Sequence, residues 1–322
     1  MRKYNVAIVG ATGAVGEEMR LVLEERKFPV EKLSLFASAR SAGKEYEFKE
    51  EKVIVQELKD DSFGGIDIAL FSGGDEVSKH FAPLAVQQGA IVVDNGKYFR
   101  MDPNVPLIVP EVNPDDLKWH KGLIANPNCS TIQMVMALKP IYDEVGIERV
   151  VVATYQSVSG TGKKAIEELK NQAASIASGK EYEIKAYPYQ IAYNTLPHIG
   201  SFKENGYTTE EMKMLDETRK ILGDDNIRVA ATTVRVPVYR AHSEAVHIET
   251  KKKISVQRTR EILSTFPGIK VIDNPEKLEY PLALFAEGKD EVFVGRIRED
   301  ISTENGLVMC CLLYTSPSPR DS

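Results

Sequence analysis

The sequence predicts an α/β protein in which a doubly wound parallel sheet is followed by a second domain with a mixed or antiparallel sheet. Three observations support this prediction. Residues 1–128 alternate short apolar runs with amphipathic stretches, a glycine-rich turn joins the first run to the first amphipathic stretch, and strands follow one another with fewer helices in the second half. At 322 residues the chain is long enough for two domains.

The first half contains four apolar runs of strand length and two segments with helical spacing. The predicted strands are Val6–Val9, Leu33–Ala37, Ile68–Phe71 and Ile91–Val93. The predicted helices are Glu17–Arg26 and Val77–Gln88, of which the second ends before Gly89, a typical helix stop. Because apolar strands that alternate with helices form parallel sheets, we assign residues 1–128 to a doubly wound domain.

The second half has a different pattern, in which strands succeed one another without a helix between each pair. The predicted strands are Arg149–Ser157, Arg228–Val238, Glu244–Glu249 and Glu291–Arg298. The predicted helices are Thr131–Asp143, Lys163–Ser178 and Val256–Thr265, and residues 179–205 are rich in loops. Strands without crossover helices indicate an antiparallel or mixed sheet, so we assign residues 129–309 to a second, α+β domain.

The C-terminal segment, residues 310–322, departs from this pattern. Leu307–Met309 is typical of the start of a buried strand, but the sequence then runs into Ser-Pro-Ser-Pro, which favours neither strand nor helix. We expect this segment, with Cys310 and Cys311, to be a non-native tail outside the fold. A native floppy tail is the alternative.

Composition and charge exclude several classes of protein. The formal net charge is −6, so no general basic field attracts nucleic acid. No apolar run reaches about 18 residues, the length that a membrane helix needs. The N-terminus enters an apolar strand without a signal-peptide core, and the cysteines have neither disulfide nor zinc spacing. We expect a cytoplasmic enzyme that acts on a small molecule and carries no metal.

A glycine-rich turn, Gly10-Ala-Thr-Gly-Ala-Val-Gly16, follows the first strand and opens the first helix. Glycines let the backbone turn sharply and approach a pyrophosphate, whose charge the helix N-terminus favours. The spacing is GxxGxxG, not the stricter GxGxxG, so a tight turn without a ligand is the alternative. The position of the turn at the start of an α/β domain predicts a Rossmann-like dinucleotide site.

The end of the second predicted strand indicates which dinucleotide binds. NAD enzymes usually carry an acidic residue there for the ribose hydroxyls, whereas this chain has Arg40 and Ser41. A guanidinium and a hydroxyl suit a 2′-phosphate. The sequence therefore predicts NADP as the cofactor, and a solvated surface charge is the alternative interpretation of Arg40.

Cys129 lies just before a predicted helix, where the positive end of the helix dipole favours the thiolate. Pro127 and Asn128 would fix the turn, and the hydroxyls of Ser130 and Thr131 would cap free N–H groups of the helix. A small buried filler is the alternative role for a lone cysteine.

A thiolate nucleophile needs an acid or base partner. Of the five histidines, His242 lies where one predicted strand ends and the next begins, a usual place for a catalytic side chain. His80, His120 and His247 are typical of surface or sheet residues, whereas the role of His198 stays open. Sequence spacing alone does not bring His242 to the cysteine.

Nine motifs carry a family resemblance, and they occur in the family's order from residue 4 to about residue 309. They are GATGAVG, SARSAG, DNGKYFR, VPEVN, PNCSTIQ, TYQSVSGTG, EEMKM, VRVPVYRAHSEAV and FVGRIR. In these motifs the sequence closely resembles the bacterial form of the aspartate-semialdehyde dehydrogenase family. The resemblance implies NADPH-dependent conversion of L-aspartyl-4-phosphate to aspartate 4-semialdehyde and phosphate. This reaction serves lysine (through diaminopimelate), methionine, threonine and isoleucine biosynthesis.

The resemblance also implies catalytic and cofactor-binding residues. Cys129 matches the acyl-thioester cysteine, His242 the acid/base histidine and Gln156 the glutamine that orients the bound acyl group. The positions that match NADP contacts are Gly10, Thr12, Gly13, Ala14, Val15, Arg40, Ser41, Ser159 and Gly160.

Substrate-binding residues are implied in the same way. Arg235 matches the arginine that binds the substrate carboxylate, and its planar guanidinium suits a bidentate contact. Arg100 and Lys213 match the cations that bind the phosphate, and Glu211 matches a contact for the substrate amino group. Each cation taken singly is more often a surface residue, and only the resemblance groups them in one site.

Two rival functions share part of this pattern. N-acetyl-γ-glutamyl-phosphate reductase has the same fold and mechanism but acts on an acylated amine, and glyceraldehyde-3-phosphate dehydrogenase is a more distant relative. A non-catalytic NADP-binding sensor is the rival from another class, yet it would need no cysteine, histidine and anion-binding residues together. The EEMKM and RVPVYRAHSE segments fit the aspartate family better.

The C-terminus departs from the family pattern. Members continue with a strand and a helix that returns to the first domain, and this sequence has no counterpart of them. We expect exposed apolar surface on the first domain and low activity or solubility as a result. The resemblance further implies a homodimer or homotetramer.

Overall fold

The computed structural model describes residues 2–313. Within this range the chain forms two compact units, residues 2–127 and residues 128–313. Each unit has its own sheet, with seven strands in the first and six in the second. No helix in the described range is both long enough and apolar enough to cross a membrane.

Seven strands, most of them parallel, form the sheet of the first unit. They are β1 (Tyr4–Val9), β2 (Val30–Ala37), β3 (Glu45–Phe48), β4 (Glu51–Glu57), β5 (Ile68–Phe71), β6 (Ile91–Asp94) and β7 (Leu123–Ala125). Their order in the sheet is β3-β4-β2-β1-β5-β6-β7, and only β3 and β4 pair antiparallel. The chain runs from β1 to one edge and then returns to the other, so the predicted doubly wound sheet is confirmed.

Two α-helices, α1 (Ala14–Glu25) and α2 (Asp75–Gln87), follow β1 and β5. Both predicted helices are confirmed, although each begins earlier than predicted. Their N-caps are Gly13 and Gly74, which contribute nothing to the apolar spacing on which the prediction rests. The β3–β4 hairpin is absent from the prediction because β3 alternates charged and aromatic residues and the short apolar run of β4, Val53–Val55, is flanked by charged and polar residues.

The core of the first unit surrounds β1, of which residues 6–9 are all buried. Val6 and Ile8 pack with Leu35 of β2 and with Met19 of α1. A strand buried on both faces lies in the middle of a parallel sheet. This position places the glycine-rich turn at the centre of the carboxyl edge, where such sheets bind ligands.

The second unit contains a six-stranded mixed sheet, as predicted. Its strands are β8 (Ile147–Gln156), β9 (Arg228–Arg235), β10 (His242–Thr250), β11 (Ile269–Val271), β12 (Val292–Glu299) and β13 (Gly306–Leu313). The order is β11-β12-β13-β10-β8-β9, in which β8–β9 and β11–β12 are parallel and the remaining pairs are antiparallel. Strand β9 ends three residues before the predicted Val238, because Pro237 cannot donate to a ladder.

Five α-helices belong to the second unit in the described range. They are α3 (Cys129–Val145), α4 (Lys163–Ala177), α5 (Thr209–Leu222), α6 (Val256–Thr265) and the short α7 (Ala283–Ala286). Helix α5 is absent from the prediction, although its start and stop signals are readable. Thr208 and Glu211 form a capping box, and Gly223 ends the helix in the left-handed conformation.

Helix α3 is the centre of the second unit and contacts β8, β10, β12, β13, α5 and α6. Its buried residues are Ser130, Thr131, Ile132, Gln133, Met134, Val135, Met136, Ala137, Leu138, Pro140 and Ile141. A helix that is apolar on nearly every side is stable only when it is surrounded by other elements. The N-terminus of α3, which begins with Cys129, is therefore fixed by the packing of the whole unit.

Strand β13 corrects the prediction for residues 310–322. It continues through Leu313, and Cys310 pairs in register with Ala245 of β10 and with Gly295 of β12. The expectation that Cys310 and Cys311 lie outside the fold is wrong, because the apolar residues of 311–313 continue the buried strand and the Ser-Pro repeat comes only after it. The remainder of the predicted tail, residues 314–322, lies outside the described residues.

Candidate active site

The glycine-rich turn connects the carboxyl end of β1 to α1. Gly10 has φ of +83°, and a Cβ there would lie 2.7 Å from the main-chain nitrogen of Gly73, so only glycine fits. The N-cap of α1 is Gly13, which offers no side-chain acceptor to the first N–H groups of the helix. Predicted contacts Thr12, Ala14 and Val15 lie in the same turn. The close backbone and the uncapped helix start fit a pyrophosphate.

Arg40 lies in a short 3₁₀ helix, Ala39–Ser41, directly after β2. Its side chain is exposed, whereas that of Ser41 is buried. Because β2 is the parallel neighbour of β1, this helix lies at the same edge of the sheet as the glycine-rich turn. The position suits a contact between Arg40 and the 2′-phosphate of NADP.

The turn after β6 orients the buried Arg100. The Nε of Arg100 donates to the carbonyl oxygen of Gly96 at 3.2 Å, and Nη2 donates to that of Asn95 at 3.0 Å. Two main-chain acceptors on one guanidinium fix its plane, which is the property that a bidentate oxyanion contact requires.

Cys129 is the first residue of α3, which begins two residues before the predicted start at Thr131. The cap of the helix differs from the prediction, in which Ser130 and Thr131 supply it. The side-chain Oδ1 of Asn128 accepts from the main-chain N–H groups of Ser130 at 3.1 Å and Thr131 at 3.3 Å. An amide oxygen satisfies the first turn better than a hydroxyl that follows the cap.

Glu210 joins the cysteine-bearing turn to the end of β8. Its Oε1 accepts from Asn128 Nδ2 at 2.8 Å and from Gln156 Nε2 at 3.4 Å, and its Oε2 forms an ion pair with Lys213 at 2.9 Å. Burial raises the pKa of Glu210, but Lys213 and Asn128 together outweigh burial and leave the pKa below its ordinary value. A negative charge therefore lies next to the residues that flank Cys129.

Glu211, the predicted contact for the substrate amino group, has both oxygens in use elsewhere. Oε2 accepts from the main-chain N–H of Thr208 at 2.7 Å in the capping box, and Oε1 accepts from that of Thr233 at 3.0 Å. The contact of Glu211 with the substrate amino group stays a prediction, and its neighbour Glu210 is the carboxylate that contacts the turn bearing Cys129. On a helix adjacent residues lie about 100° apart, so the two side chains point in different directions.

His242, the first residue of β10, has no exposed surface. Its Nδ1 accepts from the main-chain N–H of Ser157 at 3.0 Å, and the hydroxyl of Ser157 lies 3.0 Å from the same nitrogen. Burial, and then the charge of Arg235, lower the pKa of His242 to about 3. The ring is neutral at physiological pH in this state.

Arg235 ends β9 in register with Gln156 of β8. The Nη1 of Arg235 donates to the carbonyl oxygen of Ser157 at 2.5 Å. A Cβ at Gly160 would lie 3.1 Å from this nitrogen and 3.2 Å from Nε2 of His242. Gly160, a predicted NADP contact, therefore lies against both side chains, and the buried hydroxyl of Ser159 lies 3.0 Å from that of Ser157.

Gln156, the last residue of β8, and Ser157, which follows it, bring these groups together. Gln156 contacts the Glu210 cluster, and Ser157 contacts both His242 and Arg235. A turn that bears a thiol, an imidazole, a guanidinium and a carboxylate thus lie at one end of one sheet. Such a set is suited to acyl transfer from a substrate that bears both a carboxylate and an amine.

Three contacts of the site are missing from the sequence prediction, namely the cap made by Asn128, the carboxylate of Glu210 and the hydrogen bonds of Ser157. The spacing Glu210-x-x-Lys213 on a helix is a readable signal for the second, since it predicts an i,i+3 ion pair. His198, left open above, stacks on Phe202 with ring centroids 4.5 Å apart in the 179–205 segment.

A further buried carboxyl lies deeper in the same layer. Glu244 follows His242 by two residues on the same face of β10, is 1% exposed, and pairs in register with Thr154. Burial raises the pKa of Glu244 well above its ordinary value, and the neighbouring amide of Gln133 lowers it only in part. Within the described residues neither oxygen of Glu244 has a hydrogen bond of regular geometry.

Family models match both halves of the chain. The model described as the semialdehyde dehydrogenase NAD binding domain matches residues 5–120, and the semialdehyde dehydrogenase dimerisation domain matches residues 138–313. The second match extends to the last residue of β13, in agreement with the corrected strand.

Curated relatives match nearly the whole chain. The aspartate-semialdehyde dehydrogenase of Aquifex aeolicus is 59% identical over 310 residues, which cover 95% of this chain and 91% of the relative. Those of Legionella pneumophila and Bacillus subtilis are 55% and 49% identical over 95% of this chain, and the matches cover 89% and 90% of the relatives.

Solved structures agree with these relatives. Aspartate semialdehyde dehydrogenase II from Vibrio cholerae, in complex with ASA, has a TM-score of 0.96 and 46% identity over 100% of this chain and 96% of that chain. Aspartate semialdehyde dehydrogenase with NADP from Candida albicans has a TM-score of 0.78 and 25% identity over 99% of this chain and 96% of that chain. The chain belongs to the aspartate-semialdehyde dehydrogenase family.

Proposed function

We propose that the chain catalyses the NADPH-dependent reductive dephosphorylation of L-aspartyl-4-phosphate to L-aspartate 4-semialdehyde. The observation that supports this proposal is the cluster at the end of β8. Glu210 contacts both Gln156 and the turn that bears Cys129, and Ser157 contacts His242 and Arg235. A substrate with a carboxylate, an ammonium and an acyl phosphate requires all these groups together.

Cys129 is the proposed nucleophile. The positive N-terminus of α3 favours its thiolate, and the Asn128 cap fixes the geometry of the turn. The thiolate attacks the acyl carbon, the bond from carbon to the phosphate oxygen breaks, and a thioester remains. Gln156 orients the acyl group by its amide.

The other side chains each bind a different group of the substrate. Arg235 binds the carboxylate, Glu210 takes the place of Glu211 as the contact for the ammonium, and Lys213 binds the phosphate. The match of Arg100 to the family motif makes it a further proposed contact for phosphate. When the thioester has been reduced and the C–S bond breaks, Nε2–H of His242 donates a hydrogen bond to the departing thiolate of Cys129. His242 suits this role because its neutral ring presents a proton on Nε2.

The glycine-rich turn and Arg40 fit NADP, as the close approach of Gly10 to Gly73 and the uncapped start of α1 indicate. When bound, NADPH supplies the hydride that reduces the thioester carbonyl. The proposed contacts with this chain are Gly10, Thr12, Gly13, Ala14, Val15, Arg40, Ser41, Ser159 and Gly160.

One assay tests the proposed function. Purified protein should reduce NADP in the presence of aspartate 4-semialdehyde only when phosphate or arsenate is added. An acylated-amine substrate, as used by N-acetyl-γ-glutamyl-phosphate reductase, should give no turnover. A protein that binds NADP but gives no phosphate-dependent reduction with the semialdehyde would be a sensor, and the proposal would be wrong.

We also propose that the protein forms a homodimer or homotetramer in the cytoplasm. One face of the second sheet is covered by α3, whereas the opposite face of β8 is half-exposed at Val151 and Ala153 and 45% exposed at Tyr155. A sheet face of this kind is suited to bury itself against a second copy. Sedimentation equilibrium at micromolar concentration distinguishes monomer, dimer and tetramer.

A further inference from the structure

The segment that carries Arg100 is fixed by buried side chains outside the substrate cluster. Arg100 donates from Nε and Nη2 to the carbonyl oxygens of Gly96 and Asn95. The position of the guanidinium therefore depends on the conformation of this short turn. The groups that fix the turn decide where the phosphate-binding cation lies.

Asp94, the last residue of β6, has no exposed surface and sits beneath this turn. Its Oδ1 accepts from the main-chain N–H of Gly96 at 2.9 Å and from the hydroxyl of Ser78 at 2.6 Å. Burial raises the pKa of Asp94, whereas Ser78, Gly96 and Arg100 lower it. Burial of this carboxyl group costs desolvation free energy, so we expect Asp94 to have a role that offsets the cost.

Helix α2 contacts the turn at two points. Ser78 lies in its first turns and donates to Asp94, and Asp75 at its start accepts from the main-chain N–H of Lys97 at 3.0 Å. The packing is tight, since a Cβ at Gly96 would lie 2.9 Å from the Ser78 hydroxyl and 3.1 Å from Asp94 Oδ1. The turn is therefore packed against a rigid element of the first unit.

We propose that Asp94 and Ser78 are positioning residues for phosphate recognition, acting through the Asn95–Gly96 turn on the guanidinium of Arg100. This inference rests on the proposed function, in which Arg100 binds the phosphate. Neither residue touches the substrate. Asp94 fixes the peptide group whose carbonyl, that of Asn95, accepts from Arg100, and Ser78 fixes the carboxyl group of Asp94.

Steady-state kinetics of phosphate-dependent NADP reduction tests the proposal. Ser78→Ala and Asp94→Ala should raise the KM for phosphate about tenfold or more, the scale of a misplaced binding group. The KM values for NADP and for the semialdehyde should stay within about twofold, because those contacts are elsewhere. Asp94→Asn keeps the Oδ1 acceptor and should restore most of the phosphate affinity.

Asp67→Ala is the matched control. Asp67 also lies in the first unit and accepts a main-chain N–H, that of Asn5 at 2.8 Å, but it does not contact the Asn95–Gly96 turn. Its loss should leave the KM for phosphate unchanged. The proposal would be overturned if the KM for phosphate were unchanged in folded Ser78→Ala and Asp94→Ala. It would also be overturned if the KM values for phosphate, NADP and the semialdehyde all rose equally.

A binding measurement separates this proposal from the proposed function. The midpoint of thermal unfolding of the NADP-loaded protein is followed as inorganic phosphate is added. Arg100→Ala should abolish the stabilisation by phosphate, and Ser78→Ala should shift it to higher phosphate concentration. If the native protein shows no phosphate-dependent turnover, the proposed function fails. A phosphate response that is the same in Ser78→Ala as in the native protein contradicts only the positioning role.

Discussion

The main-chain N–H of Ser157 donates a 3.0 Å hydrogen bond to Nδ1 of His242, so this nitrogen is an acceptor. The proton of the neutral ring must then lie on Nε2. The neutral form is stable because burial and Arg235 lower the pKa of His242 to about 3. The histidine thus presents an N–H to the site without first gaining a proton from solvent.

We expect the ¹⁵N chemical shifts of His242 to show a neutral ring with hydrogen on Nε2, unchanged between about pH 8 and pH 5. Because the folded pKa lies below the unfolded value, protonation favours the unfolded state as the pH falls from about 6.5 toward 3. The same protein in denaturant provides the control, since its histidines titrate near 6.5. A His242 resonance that titrates between pH 6 and 7 in the folded protein would disprove the assignment.

Cys129→Ala should remove turnover and preserve NADPH binding. The substitution deletes the sulfur that forms the thioester but leaves the Asn128 cap, which belongs to a different side chain. Turnover and NADPH affinity, the second by fluorescence titration, are compared with the native protein. Residual activity above about a thousandth of the native rate would argue against covalent catalysis.

Glu210→Gln and Glu211→Ala form a matched pair on neighbouring positions of α5. Glu210→Gln should raise the KM for the semialdehyde by about 10- to 100-fold, as expected for loss of a charged hydrogen-bonding group. Glu211→Ala should lower the free energy of unfolding by about 1–2 kcal/mol through loss of the capping box, with unchanged KM. Denaturant unfolding and steady-state kinetics on both variants decide between the residues. The opposite pattern would return the substrate contact to Glu211.

Glu244→Gln should stabilise the protein at alkaline pH. The folded pKa of Glu244 is raised by burial, so its contribution to stability is present below about pH 4.5 and is lost as the pH rises through the folded pKa. Gln carries no charge, so the variant should gain on the order of 1–3 kcal/mol at pH 8 and little at pH 4. Chemical denaturation at both values measures the difference. Equal stability of variant and native protein at pH 8 would show that Glu244 ionises without cost.

Arg40→Ala should weaken the binding of NADP but not that of NAD. Loss of one charged hydrogen bond to the 2′-phosphate corresponds to about 10- to 100-fold in KM for NADP, whereas the KM for NAD should not change. Arg26→Ala, at the end of α1, removes another exposed arginine and is the control. Equal turnover of the native protein with NAD and NADP at matched concentrations would contradict the NADP assignment itself.

Much of the fold follows from local pattern. Strands of the first unit such as Ile68–Phe71 and the helix Val256–Thr265 are confirmed to the residue, because apolar runs and helical spacing are local properties. Strands β3 and β11 are missed because a short or charged edge strand has little apolar pattern. Strand β13 is cut short in the prediction, because the Ser-Pro signal that follows it is stronger than its own apolar run.

The site is predictable only where the type of residue and its sequence neighbours indicate the function. The position of Cys129 at a helix start and the cationic end of β2 are readable from neighbours. The proposed choice of Glu210 over Glu211 is not, because it depends on how α5 is rotated against β8 and β9. Thr208 fixes that rotation through the capping box, so recognising the cap is the step that makes the choice possible.

The position of β13 determines when the second unit can complete its fold. This strand follows β10 and β12 in the chain, yet it lies between them in the sheet. During synthesis, the β9–β8–β10 half and the β11–β12 half therefore cannot join before residues 306–313 have left the ribosome. The first unit has no such dependence within residues 2–127, so we infer that it folds early, while the second unit is still incomplete. Until β13 is made, the edges of β10 and β12 stay unpaired and are exposed to chaperones or to aggregation.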